Sequence, residues 1–393
     1  MDLCNELKQE LTADILPFWS NKMQDWEFGG FYGRIDGDGV IHKEAHKGAV
    51  LNARILWTFS SAWRIFKNPD YLKVAERAYR YLLDYFIDKE HGGVYWELDH
   101  LGKPAITKKQ TYAQAFALYG LSEFYRATVQ PEALEEAIKL FHLLEKHGRD
   151  KKRGGYFEVF SIDWQPIDEA HLNEKETIEK KTMDTHLHIL EAYTELMRVW
   201  KNSKLEQAQR NLIHLFTHKI MDKKTHHLHL CFDDKWDCKS RSISYGHDIE
   251  ASWLLVEAAE VLDDKLLIEK IKAISLEIIK AALEGLQPDG SLIDEVNDGV
   301  ADTNRHWWVE AETVCASMHA WYQSRDRAFL DIAVNCWKYI RKYIIDKENG
   351  EWIWCVSREG APNRKGDKAG FWKCPYHNGR MCMEVMEILE RKW

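Results

Sequence analysis

The sequence has no long apolar run, no block of Lys or Arg, and no closely paired cysteines, and each absence removes a class of function. Without a run of about 20 apolar residues, no segment spans a bilayer as a helix. A formal net charge of -9, unbroken by any basic block, makes nucleic acid and anionic membrane poor partners. The eight cysteines (Cys4, Cys231, Cys238, Cys315, Cys336, Cys355, Cys374 and Cys382) are scattered, with no Cys-x-x-Cys pair. They read as reduced thiols in a cytosol, not as a disulfide framework or zinc site. The start, Met1-Asp-Leu-Cys-Asn-Glu-Leu7, is acidic and amphipathic and does not resemble a signal peptide, so a cytoplasmic location is expected.

Chemical motifs are missing too. No Ser or Cys sits in a nucleophile elbow. The Gly-Gly pairs open strands, not helices, so they do not cradle phosphates. Asp36-Gly-Asp-Gly39 lacks the full calcium-loop pattern and reads as a hairpin turn. The histidine groups His186/His188 and His226/His227/His229 show no recognised metal-ligand spacing, and no metal is expected.

What the chain does have is a repeat. By length alone, 393 residues would suggest two or three domains. A short hairpin-like stretch recurs roughly every 60 to 70 residues. Its copies begin at Phe28-Gly-Gly, His91-Gly-Gly, Arg153-Gly-Gly, the glycine-free Thr225-His-His, Asp289-Gly-Ser and Asn349-Gly-Glu. Turn residues followed by aromatic and branched residues mark short strands. Between hairpins lie two helical segments, the first apolar almost all round and the second amphipathic. In Tyr71 to Ile87, for example, Leu72, Ala75, Ala78, Leu82 and Phe86 share one face, with charged residues elsewhere. A lone helix at Asn5 to Lys22 and another at Tyr376 to Lys392 complete a sixth pair. The pattern predicts an all-α fold, an (α/α)6 barrel of buried inner and amphipathic outer helices spanning 1–393 as one domain. An open α-solenoid is the alternative.

The ring gathers the beginnings of the inner helices at one end, and chemistry is concentrated there. The central stretch is Ser244-Tyr-Gly-His-Asp-Ile-Glu-Ala-Ser-Trp-Leu-Leu255. Gly246 is its expected N-cap. His247 and Glu250 fall on one face at the mouth of a buried helix. The helix N-terminus disfavours imidazolium and the carboxylate favours it, which suits a His that exchanges a proton near neutral pH. A capping His beside an ordinary first-turn Glu would look the same on this stretch alone. Other helix starts supply Tyr112, Asp184, His186, His188, Trp307, Trp308, Glu310, Glu312, Trp372, Tyr376 and His377. Arg54, inside an apolar helix, needs an anionic or polar partner. The 17 Trp suit packing on sugar faces, although a large helical core uses them too. Histidines around an aromatic cleft can move a proton off and onto carbon, with Arg54 stabilising an enediolate oxygen. A sugar epimerase or isomerase fits that set.

The sequence resembles the N-acylglucosamine 2-epimerase superfamily across essentially its whole length, most closely the cellobiose 2-epimerase branch. The motifs are Phe28-Gly-Gly-Phe-Tyr-Gly33, Asn52-Ala-Arg-Ile-Leu-Trp57, Thr185-His-Leu-His-Ile-Leu-Glu-Ala-Tyr193, Gly246-His-Asp-Ile-Glu-Ala-Ser-Trp253, Trp307-Trp308 with Glu312, and Trp372 with His377. The resemblance implies an (α/α)6 barrel and cofactor-independent epimerisation at C2 of the reducing-end glucose of β-1,4-linked disaccharides such as cellobiose and lactose. It implies His247 and His377 as the proton-transfer pair and His188, not His186, as an aid to ring opening. It implies Arg54 on the substrate oxygens and Glu250 supporting His247. It places Tyr112, Trp253, Trp308, Glu312 and Trp372 at the sugar sites. Asp184 stands where the family pattern has Asn, which puts that position's family role in question.

The expected partner is an oligosaccharide of the cellobiose, lactose or mannobiose kind, bound by a monomer or weak dimer. Other readings stay open at this point. The substrate could be free mannose, glucose or N-acetylglucosamine, and the product a ketose, since both reactions share the enediolate. A glycoside hydrolase would need two placed carboxylates, with Glu250 and Glu312 as candidates, but leaves the histidines unexplained. A non-catalytic glycan-binding ring would need the Trp residues but not the His247–Glu250 pair.

Overall fold

The computed structural model describes residues 2–167 and 179–390. The six inner helices are Ala49–Phe66, Thr111–Thr128, Met183–Val199, Tyr245–Glu260, Trp307–Ser324 and Tyr376–Glu390. Each packs on the next, and the sixth returns to the first, so the ring is closed and not an open solenoid. The outer helices are Pro69–Tyr81, Pro131–Leu143, Ser203–Leu215, Lys265–Ala282 and Arg327–Tyr339. The sixth outer position is filled by the N-terminal helical segment, Leu3–Glu10 continued by Leu11–Ile15 and Leu16–Lys22, packed against the C-terminal helix. The last residues of the expected Tyr376 to Lys392 helix lie outside the described residues.

Helix polarity decides the layers. Every residue from Ala49 to Ala62 is buried, because that helix has neighbours on all sides. Pro69–Tyr81 buries only Val74, Ala75, Ala78, Tyr79 and Tyr81, one stripe against the ring. Asn68 caps it through its side chain, and Pro69 occupies the first helical position, where no amide is needed.

Four of the outer helices end in a wide turn that the sequence did not announce. The amide of Ile87 donates to Leu82, Arg149 to Leu144, Met221 to Phe216 and Ile345 to Ile340, each five residues back. Each widened turn delivers the chain into a hairpin.

The hairpins are built by a shared device. Asp25, Asp88, Asp150 and Asp346 each accept two backbone amides on Oδ1. Each offers Oδ2 to a buried lysine: Lys47, Lys109 and Lys181 at 2.7 Å, and Lys368 at 2.8 Å. Glycines at positive φ, such as Gly93 and Gly155, close the turns. In the glycine-free copy His226 takes the left-handed position, at φ 63. There the pairing changes to His227 Nδ1 on Asp248, at 2.6 Å.

Short antiparallel pairings then tie each hairpin to the one before it. Lys47–Gly48 pairs with Glu97–Leu98, Lys109–Gln110 with Val159–Phe160, and Lys181–Thr182 with Cys231–Phe232. Ile243–Ser244 pairs with Glu295–Val296, and Arg305–His306 with Cys355–Val356. An Ile35–Ala369 bridge closes the circuit. One strand of each of these five pairs leads directly into an inner helix, so helix starts and hairpins share one end of the ring.

Candidate active site

At that end the inner helices enclose a cavity of about 300 Å³, lined by Arg54, Tyr112, Asp184, His188, His247, Glu250, Trp307, Trp308, Trp354, Trp372 and His377. Those residues come from all six inner helices and two hairpin segments. The volume is at the small end of ligand pockets, enough for sugar rings with one end open to solvent.

His247 is held by its own N-cap. Ser244, not Gly246, caps the helix: its Oγ accepts the His247 amide at 3.2 Å and lies 2.8 Å from His247 Nδ1. Gly246 falls inside the first turn for a different reason. A Cβ there would come within 2.6 Å of the Trp308 ring and 2.7 Å of Asp294. The Trp308 indole therefore slots over the helix start, with its centroid 5.0 Å from His247 and 5.6 Å from His377.

His377 starts the last helix and is anchored from behind. Its Nδ1 lies 2.8 Å from Glu312 Oε1, and Glu312 in turn accepts Trp253 Nε1 at 3.0 Å. Burial lowers the His377 pKa to about 3, outweighing the Glu312 contact, and the Arg54 and Arg380 charges act the same way. Glu312 is held at about 2, mainly because Arg380 offsets the cost of its burial. The pair is thus a carboxylate and a neutral imidazole.

His188 has the opposite character. Its Nδ1 lies 2.9 Å from Glu191 and its Nε2 3.1 Å from Asp184. Burial disfavours its charge, but the two carboxylates outweigh burial and raise its pKa to about 9. The same physics separates it from His186. That ring is also buried, but its Nδ1 meets the Thr182 carbonyl at 2.6 Å and its Nε2 accepts the Tyr156 amide at 2.9 Å. With no carboxylate against it, burial lowers His186 to about 4. His186 braces a hairpin and does not reach the cavity.

Arg54 donates to Tyr112 Oη at 2.9 Å and to the Trp372 carbonyl at 3.4 Å, and lies over the rings of Phe116 and Tyr376. Among the described residues its hydrogen-bond acceptors are Tyr112, the Trp372 carbonyl and Cys374, none a carboxylate, and its Nε has no hydrogen-bond partner. A guanidinium so placed at a cavity wall is a ready acceptor of developing oxygen charge.

Three expected placements differ. Glu250 does not reach His247; it accepts Arg380 Nη2 at 2.6 Å and lies 3.8 Å from His377. Trp253 and Glu312 stand behind the cavity wall, not on it, with Glu312 against His377 and Trp253 against Glu312. The sequence pattern gave their helix face but not their depth. Trp354, from the sixth hairpin, lines the cavity unanticipated and packs on Trp307 with centroids 4.6 Å apart.

Sequence reading also missed Arg380, fully enclosed one turn after His377. Its guanidinium donates to Glu191, Glu250, Glu312 and Tyr376. It therefore joins the carboxylate behind His188 to the carboxylate behind His377. An arginine one turn after His377, followed by the apolar Met381-Cys-Met383, was the available signal. Glu250, Glu312 and His377 cluster closely enough to suggest a cation site, but Arg380 already donates to both carboxylates. The arrangement fits a guanidinium, not a metal ion. His227 is likewise committed, to Asp248.

Comparison with known proteins agrees with this geometry. Residues 30–378 match the N-acylglucosamine 2-epimerase (GlcNAc 2-epimerase) family. The chain is 52% identical over 386 residues to cellobiose 2-epimerase of Bacteroides fragilis, covering 98% of each. It is 38% identical to the Dictyoglomus turgidum cellobiose 2-epimerase, again over 98% of each. The solved structure of cellobiose 2-epimerase from Bacillus thermoamylovorans superposes with a TM-score of 0.94 at 41% identity, covering 98% of both chains. A GH76 α-mannanase of Bacteroides thetaiotaomicron, at TM-score 0.67 and 12% identity, shares the fold alone. The protein belongs to the N-acylglucosamine 2-epimerase family and is a carbohydrate epimerase.

Proposed function

We propose that the protein epimerises C2 of the reducing-end glucose of a β-1,4-linked disaccharide, cellobiose or lactose, by two-histidine proton transfer. The observation that carries the reading is one cavity that brings together His188, held between Asp184 at 3.1 Å and Glu191 at 2.9 Å, His377, backed by Glu312 at 2.8 Å, and the Arg54 guanidinium at its wall. His188 donates a proton as the pyranose opens. Neutral His377 offers Nε2 as a base to C2–H, because Glu312 occupies its Nδ1. Arg54 then faces the enediolate oxygens, where charge develops. After rotation about C2–C3, His247 returns a proton to the other face; the reverse reaction exchanges the roles. Trp308, against both rings, and Trp372 offer flat surfaces for sugar. The disaccharide is favoured because every relative more than 30% identical described above is a cellobiose 2-epimerase. A hydrolase is disfavoured because Glu250 and Glu312 are both bound by Arg380, and Asp184, the other carboxylate on the cavity, is paired with His188.

The test is incubation with cellobiose in D2O followed by proton NMR. Glucosyl-mannose carrying deuterium at C2 is expected. Exchange in mannose or N-acetylglucosamine but not in cellobiose or lactose would move the substrate to a monosaccharide. No exchange in any sugar would overturn the reading.

A further inference from the structure

Asp184 carries more chemistry than a sugar-binding residue requires. A single oxygen, Oδ1, lies 3.1 Å from His188 Nε2 and 3.7 Å from His247 Nε2. Its side chain is 26% exposed, and that exposure opens into the cavity it lines. His188 already has a carboxylate, Glu191, on Nδ1, so a second one is not needed to fix the ring. The second carboxylate is instead placed on the substrate side, in contact with the very nitrogen that carries the donated proton. The groups around it are Arg54 from the first inner helix, Tyr112 from the second, His188 and Glu191 from its own, His247 and Glu250 from the fourth, and Glu158 from a hairpin.

Resting on the epimerase reading, we propose that Asp184 and His188 form a complete ring-opening couple, which gives the protein a separable activity: interconversion of the α and β anomers of its sugar. Asp184 takes the proton from O1 as the C1=O1 double bond forms. The C1–O5 bond breaks with its electron pair going to O5, and O5 takes the proton from His188 Nε2. Asp184 is left protonated beside a neutral His188, and the proton crosses the 3.1 Å contact to restore the starting pair. No proton is gained or lost overall. Ring closure runs the same steps backwards onto either face of the aldehyde, which exchanges the anomers. His377 has no part in this cycle, so the activity survives when C2 chemistry is removed.

The experiment follows freshly dissolved β-cellobiose by proton NMR with the His377→Ala protein, which is expected to place no deuterium at C2. That variant should still speed α/β equilibration well above the buffer rate. Adding Asp184→Asn, an isosteric change at a partly exposed site, should lower the catalysed rate by about 100-fold, the usual worth of a general base. Circular dichroism of both variants confirms that the fold persists. Equal equilibration rates with and without Asp184→Asn, or no acceleration by the His377→Ala protein, would overturn the proposal. In either of those cases wild-type exchange at C2 in D2O would leave the epimerase reading standing. Wild-type protein that neither exchanges C2 nor equilibrates anomers would remove both.

Discussion

At the scale of single residues, the site works by giving like side chains unlike surroundings. His188 and His377 are both buried histidines. One has a carboxylate against each ring nitrogen and is charged; the other has carboxylates on Nδ1 alone, with two guanidinium groups nearby, and burial leaves it neutral. In the proposed mechanism, activity requires a pH above the His377 value of about 3 and below the His188 value of about 9. A pH–rate profile should fall on the alkaline side as His188 loses its proton. Glu191→Gln removes one of the groups that hold that proton, so the alkaline limb should move to lower pH; an unmoved limb would assign it to another group. The His188 interactions also contribute stability. That contribution is fully present below the ordinary 6.5 and is lost as pH rises through about 9.

Arg380 gives a second prediction at this scale. Lysine keeps its charge but cannot hold Glu191, Glu250, Glu312 and Tyr376 with one planar fork. Arg380→Lys should lower kcat by about 100-fold, as expected when catalytic groups shift by about 1 Å. KM for cellobiose should change much less, because Arg380 does not line the cavity. Steady-state kinetics separates the two, and a loss confined to KM would contradict a positioning role.

At the scale of elements, the hairpins hold the helix starts in place, and their buried Lys–Asp pairs are the fasteners. Lys109 and Asp88 are almost wholly excluded from water and 2.7 Å apart. Lys109→Met leaves the Asp88 carboxylate buried without its partner, a loss of about 3–5 kcal/mol. Chemical denaturation should show a clear drop for that variant, and Asp88→Asn added to it should restore part of the loss, since no unpaired charge then remains. This fastener was not legible in the sequence, because a lysine before a helix looks like an ordinary solvated residue. The hairpins themselves were legible, since Gly-Gly turns at positive φ leave a strong compositional mark. Inner and outer helices were legible from polarity: the expected Tyr71 to Ile87 segment is Pro69–Tyr81 continued by Leu82–Phe86. Depth was not: Trp253 and Glu312 have the right spacing for the cavity but sit behind His377. The small size of Gly246 suits a cap, but Ser244 is the cap, and the Trp308 ring over Gly246 is what excludes a larger residue there.

At the scale of the whole molecule, the ring must be closed by chain ends that are far apart in sequence, and the last inner helix carries both His377 and Arg380. Closure is centred on buried Glu351, which accepts Trp19 Nε1 at 2.6 Å, Lys373 Nζ at 2.7 Å and Asn378 Nδ2 at 2.7 Å. Beside it Glu10 accepts Trp352 Nε1 at 2.8 Å. Burial pushes Glu10 up to about 8; the Trp352 hydrogen bond opposes this, and the Asp14 and Glu351 charges add to it. Because the folded value lies above the ordinary 4.5, this group's contribution to stability is fully present below 4.5 and is lost as pH rises through about 8. Glu123, Glu158, Glu310 and Glu384 are raised to about 8 as well, so wild-type stability alone does not isolate the seam. The difference between wild type and Glu10→Gln does, because Gln keeps an acceptor for Trp352 but cannot ionise. Thermal unfolding followed from pH 5 to pH 8 should show the variant gaining on wild type as pH rises. A constant difference across that range would mean that Glu10 does not titrate with folding and that the pH dependence of the seam lies elsewhere.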